Sequence, residues 1–276
     1  MKEMLNIYYN ITNCSICVRG TKTSIKSNNE EYELIEIYNK ERIRNINSLL
    51  HQKKLESFFY KIILNNANEF VTDYKNKHYC LIKKSVQNKI KKIMYPQKIT
   101  IDESMRKTYE KNWKELWINK INWLKEICKN NTFEFPKEII ELTDYYIGMS
   151  ELALQLLKQS EYANEYGSVQ LYMMQIRQSN ERENPINIVI DRKERHYAEK
   201  IKRNIFSKKF DINREAELIS KEKLNKKILL SRLLFPTYFF DIIEKYIAND
   251  FWNEELQNIK ENVDEYESLV FHLISK

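Results

Sequence analysis

The run PINIVID, residues 185–191, ends on an aspartate, and the charged segment RKERHYAEKIKR follows it directly. A strand that ends on a carboxylate can present an oxygen ligand to a hard cation or a phosphate, so Asp191 is the first candidate for chemistry. Arg195 and His196 follow side by side, a cation for an anionic group and an imidazole for proton transfer. Each residue has a plainer role as well. Asp191 and Arg195 stand four residues apart, the spacing of a helical ion pair, and an aspartate before a helix is a good cap. One carboxylate is also a poor Mg²⁺ site unless substrate phosphates complete its shell. No carboxylate or nucleophile is placed to pair with His196, which makes it a packed or surface histidine rather than a base.

The remaining reactive residues point to little. Cys14 and Cys17 form a lone CSIC, and no second CxxC or HxxxH completes a zinc site. Cys80 and Cys128 stand in apolar patterns as small buried hydrophobes, and four cysteines in 276 residues make no disulfide framework. No resident metal or cofactor is expected. The net charge of +7 comes from 46 basic and 39 acidic residues interleaved along the chain, without the clustered basic block that nucleic-acid binding calls for. The many Lys, Asn, Ile and Tyr look like the imprint of an AT-rich coding sequence. No run reaches the roughly 18 apolar residues of a membrane span, and MKEMLNIYYNIT lacks the apolar core of a signal peptide. A cytoplasmic location is expected.

These candidates need a scaffold, and the patterning describes one. ITNCSICVRG and EYELIEIYNK read as strands, and Gly20 offers a turn. Asn39 caps a helix over residues 40–52 with Ile43, Ile46, Leu49 and Leu50 on one face. FFYKIIL, EFVTDY and HYCLIK read as further strands, the last two joined by a short hairpin connection. Residues 1–84 are thus a β-rich lobe with one helix, and 85–101, polar and lysine-rich, a linker. Helices dominate 102–276. Asp102 caps a helix to about Lys129 whose apolar face includes Trp113, Leu116, Trp117, Ile121 and Leu124. A second helix opens at Pro136 and runs to about Gln159, and Gly148 in its middle suggests a close helix–helix contact. A β-pair lies near 168–191. Helices follow from His196 to Phe206, Asn213 to Phe235, Pro236 to Ile247 and Asn253 to Ile274. The order suggests an α+β, bilobal protein-kinase-like fold.

Five stretches carry a family likeness: FVTDYKNKHYCLIKK, KNWKELWINKINWL, TDYYIGMSELALQLL, INIVIDRKERHYAEKIK and ILLSRLLFPTYFFDIIEKYI. In order and style they resemble the YutH/CotS-like spore-coat proteins of endospore-forming bacteria. That family falls in the kinase-like superfamily of aminoglycoside phosphotransferases and choline kinases. The likeness spans about Glu69 to Ile247. It implies the bilobal fold and, after the β-pair, an aspartate followed by Arg-Asp-x-Ala-Glu. The matching positions are Asp191, Arg195, His196, Ala198 and Glu199. His196 stands where the family pattern has an aspartate that braces the catalytic loop.

Phosphoryl transfer needs positioning and charge stabilisation more than covalent chemistry, so its parts can be sought one by one. With Gly20, Gly148 and Gly167 the only glycines, a glycine-rich phosphate loop is impossible. No HxD occurs, no aspartate is followed by asparagine five residues on, and none precedes a glycine. Lys26 is a candidate phosphate lysine only by its place before a strand-like run. The expectation is a non-catalytic, pseudokinase-like scaffold of the spore-coat type with protein partners, in the mother cell or spore coat. Asp191, Arg195 and His196 are then its vestigial site. An active small-molecule phosphotransferase with a divergent site and a basic helical nucleic-acid binder are the alternatives. The stripe Phe235, Tyr238, Phe239 and Phe240 is either core of the helical lobe or, if exposed, an interaction surface.

Overall fold

The computed structural model describes residues 1–19, 22–84, 96–99, 113–130, 133–161, 171–175, 184–206, 212–248 and 252–275. The chain packs as two compact units, one of residues 1–109 and 173–190, the other of 110–172 and 191–276. The division places residues 173–190, expected with the helical part, in the first unit.

The first unit opens with a helix that the sequence pattern does not announce, α1 (Lys2–Tyr9), which buries Met4 and Leu5 and ends at Asn10 with φ 57°. An antiparallel sheet follows: β1 (Cys14–Arg19), β2 (Lys22–Ser27), β3 (Glu30–Ile37), β4 (Lys61–Ile63), β5 (Thr72–Tyr74) and β6 (Lys77–Lys83), in the order β1-β2-β3-β6-β4 with β5 also on β6. Asn28 and Asn29 both take positive φ in the two-residue turn between β2 and β3, as do Lys75 and Asn76 between β5 and β6. That is the twist a tight hairpin requires. Leu34 and Leu81 face each other across β3 and β6 on the α1 side. Their neighbours Cys80 and Ile82 point to the other face and pack near Ile43 of α2 (Lys40–Gln52). The Asn39 side chain accepts from the Arg42 amide at 3.0 Å, the expected cap. Arg42 in turn donates to the carbonyls of Ile186 (3.3 Å) and Ile188 (3.1 Å), tying α2 to the strand that leads to Asp191.

That strand is β9 (Ile188–Asp191). With β7 (Gln97–Ile99) and β8 (Leu171–Gln175) it forms a three-stranded sheet in the order β7-β8-β9, so the expected β-pair has a third member, drawn from the expected linker. The rest of the linker, the Asp102 cap and Gly20 lie outside the described residues.

The second unit is helical: α3 (Trp113–Lys129), α4 (Lys137–Glu161), α5 (Lys193–Phe206), α6 (Ile212–Lys221), α7 (Lys226–Leu234), α8 (Thr237–Ile247) and α9 (Asn253–Ser275). The helix expected over 213–235 is two helices. Asn225 interrupts it by capping α7, its side chain accepting from the Ile228 amide at 3.2 Å while its own amide donates to Glu194 at 2.8 Å. Gly148 is corrected too: among the described residues a methyl group there would meet nothing within 4 Å, so no described helix packs closely against it. Leu116, expected on the apolar face of α3, is exposed.

The aromatic stripe is core rather than an exposed patch. Phe235, Phe239 and Phe240 are each at most 1% exposed, and Tyr238 packs partly buried against the same cluster. Phe235 stacks on Trp117 at 4.3 Å between ring centres and 8° between planes, and Phe239 stacks on Tyr146 at 4.5 Å. The interaction surface considered at Phe235, Tyr238, Phe239 and Phe240 is therefore set aside. Their rings have each other to bury against, which removes more apolar area from water than a one-sided surface can.

Candidate active site

Asp191 ends β9 and is completely buried. A buried carboxylate must be paired or neutralised, and this one is paired four times. Its Oδ2 accepts from Arg195 Nη1 at 2.9 Å, Arg232 Nη2 at 3.1 Å and Trp113 Nε1 at 3.1 Å. Its Oδ1 accepts the Arg192 amide at 2.7 Å. A carboxylate offers about four lone-pair sites, so these donors fill it. All four belong to the helical unit or to the turn that enters it. The Asp191–Arg195 pair is the one expected from the i,i+4 spacing, across the first turn of α5.

Both guanidinium groups also lie against Trp113, Arg195 at 4.1 Å and Arg232 at 4.6 Å from the ring centre. Stacking on an indole holds each guanidinium planar and oriented while it donates to the carboxylate. Trp113 and Arg232 were not legible as site residues. Trp113 reads as one more apolar position of α3, and Arg232 as a break in ILLSRLLF. The available signal was that break: a charged residue 7% exposed inside an apolar helix has to have a partner.

The arrangement does not suit Mg²⁺. A dication at Asp191 must displace at least one donor and then face two guanidinium charges, each pair of unit charges at ~4 Å repelling by about 4 kcal/mol at an effective dielectric constant of about 20. Among the described residues, no three His, Cys, Asp or Glu side chains gather to hold a metal ion.

His196 is not poised for proton transfer. Burial, with Arg203 and Lys200 nearby, pushes its pKa from 6.5 down to about 4, and its Nδ1 is buried with no hydrogen-bond partner among the described residues. Its ring lies edge-on to Tyr197 at 5.6 Å. Ala198 is core, and Glu199 accepts the Arg203 Nε through its backbone carbonyl at 3.2 Å. Of the other candidates, Lys26 is exposed on β2 and paired with Glu31 at 2.9 Å. Cys14 and Cys17 lie three residues apart on one extended strand, about 10 Å from end to end, beyond disulfide reach. Cys80 is buried on β6, its thiol pushed up to about 12 by burial.

A family model described as "Spore coat putative kinase YutH" matches residues 2–273. The chain belongs to the YutH spore-coat family. A YutH relative, the endospore coat-associated protein YutH of Bacillus subtilis (strain 168), is 28% identical over 185 residues, which is 57% of this chain and 54% of that protein. The chain thus matches about half the length of that relative. Among solved structures, spectinomycin phosphotransferase in complex with ADP and spectinomycin aligns with a TM-score of 0.56 at 13% identity, covering 100% of this chain and 98% of that one. The aminoglycoside phosphotransferase of Alicyclobacillus acidocaldarius aligns with a TM-score of 0.55 at 11% identity, over 98% and 94% of the two chains. At such identities the likeness is one of fold. The YutH family chain has the kinase-like fold that its element order suggested.

Proposed function

We propose that this YutH-family chain is a non-catalytic, kinase-like protein of the spore coat that works as a scaffold or interaction module for other coat components. The observation that carries the reading is the Asp191 carboxylate, filled by Arg195, Arg232, Trp113 and the Arg192 amide. The absence of HxD, of an aspartate before glycine and of a glycine-rich loop supports it from the sequence. The place in the coat rests on the family and on the relative's description. Thermal unfolding with and without ATP–Mg²⁺ tests it. No change in midpoint is expected, and a clear rise at millimolar nucleotide overturns the reading.

The second reading is a phosphotransferase with a divergent site, favoured by the family's description and by the enzymes that share the fold. It requires Asp191 to leave its arginine partners and take a metal. Turnover abolished by Asp191→Ala in a protein that still folds would select this reading over the first.

A further inference from the structure

The antiparallel sheet of the first unit ends in two edges that differ in kind. Strand β4 is three residues long and starts with Lys61, the short, charged form in which exposed edges are kept from pairing. Strand β1 is six residues long and pairs with β2 alone among the described residues. From Cys14 to Val18 it has no charge and no proline. Ser15 and Cys17 are exposed, and Val18 is 63% exposed.

The direction of its free backbone groups follows from the neighbouring turn. Residues that flank a two-residue hairpin turn exchange hydrogen bonds, so Ser27 and Glu30 are such a pair across Asn28 and Asn29. Counting back by twos, Thr23 and Ile25 also bond to β3, while Ser24 and Lys26 turn their backbones to Cys17 and Ser15. The Lys84 amide donates to the Glu31 carbonyl, the same phase on β3. Cys14, Ile16 and Val18 therefore aim N–H and C=O outward, away from β2. Their side chains share one face of the sheet, where Cys14 and Ile16 border the core under α1.

We propose that β1 pairs antiparallel with β1 of a second copy of this chain, about a two-fold axis at Ile16. Ile16 then faces its own copy and Val18 faces Cys14 of the second copy, each pair satisfying the outward groups of both strands. The row of Cys14, Ile16 and Val18 is apolar read from either end, so the edge is its own complement and no like charges meet within it. The second copy covers Val18, which the fold leaves in water. Two sheets join into one, and the contact closes at two copies because the same edge is used on both.

Sedimentation velocity of the full chain tests the contact. A shift from the 33.6 kDa monomer toward twice that mass is expected as concentration rises from about 1 to about 100 µM, the range of a small edge contact. Val18→Lys, which sets a charge against the second strand, should weaken association at least about tenfold. Ile7→Lys should leave it unchanged, since Ile7 is exposed on α1 and its carbonyl is held by Asn66 beside the β4 edge. Circular dichroism checks the fold of each variant. Cross-linking reads the register. Ser15 lies opposite Cys17 of the second copy in a non-hydrogen-bonded pair, with Cα atoms about 4.5 Å apart and so within disulfide reach. Ser15→Cys treated with oxidised glutathione should therefore run as a dimer without reductant, far more than the unaltered chain, and adding Cys17→Ser should abolish that dimer. This arm decides if Val18→Lys does not fold. A chain that stays monomeric, whether alone or with β1 taken by another protein's strand, would overturn the proposal. A dimer indifferent to Val18→Lys, or no cross-link in Ser15→Cys, would overturn it as well.

Discussion

Asp191 and Arg232 stand 41 residues apart in the chain and meet inside the helical unit in a buried hydrogen bond of 3.1 Å. The pair joins the end of β9 to the middle of α7, and Arg195 and Trp113 close the cluster from α5 and α3. The Asp191 carboxylate is the node at which three helices are fastened.

Removing that carboxylate should therefore cost stability before it costs anything else. Asp191→Ala leaves the buried Arg232 and the largely covered Arg195 without their shared counter-ion and should lose about 3–5 kcal/mol, read from urea unfolding. Asp191→Ala with Arg232→Met should cost clearly less than the sum of the single changes, because the second change removes a stranded charge. Additive losses would mean that the pair is not coupled.

Gly148 offers the opposite sign. It lies in the interior of α4, and a methyl group added there would have no neighbour within 4 Å among the described residues, so the effect expected is on helix propensity. Gly148→Ala should raise stability by about 1 kcal/mol, visible as a higher unfolding midpoint. A loss would show that the position is packed after all.

The stacked pair of Trp117 and Phe235 belongs to the centre of the helical core. Phe235→Ala should cost about 3–5 kcal/mol by denaturant unfolding, the range for emptying a buried aromatic site. A loss of less than about 1 kcal/mol would place the ring at a surface, where such changes are mild.

These elements differ in how far the sequence discloses them. The α2 helix is legible because its cap and apolar spacing are local, Asn39 followed by Ile43, Ile46, Leu49 and Leu50. Strand β2 is not, because KTSIKS buries Thr23 and Ser27 beside Ile25 and so shows one apolar residue where three face inward. The α1 helix hides for a similar reason, burying only Met4 and Leu5. Asp191 with Arg195 is legible from a four-residue spacing, whereas Arg232 and Trp113 reach the same oxygen from distant helices, which no local pattern records. The aromatic stripe on α8 has helical spacing whether it faces a core or a partner, and only the packing of Trp117 and Tyr146 against it decides.

Stability should depend on pH through His196, whose folded pKa is about 4 against 6.5 in the unfolded chain, so folding favours the neutral ring. Its contribution is complete above about pH 6.5 and is lost as pH falls through the interval toward 4. The unfolding midpoint should drop between about pH 7 and about pH 5, and His196→Gln should lessen that drop. The carboxylates held low by their cations, such as Glu30 beside Lys83 and Asp73 beside Lys40, act in the same direction at lower pH. An unaltered drop in the variant would assign the effect to other groups.

Arginine and tryptophan donors occupy the Asp191 carboxylate, and the proposed non-catalytic function requires that no nucleotide-bound metal takes their place. Titrating the protein into Mn²⁺–ATP while following the electron paramagnetic resonance of the metal tests this most directly. The Mn²⁺–ATP signal should be unchanged up to the highest protein concentration reached. A saturable change in that signal, absent in Asp191→Ala that remains folded, would contradict it.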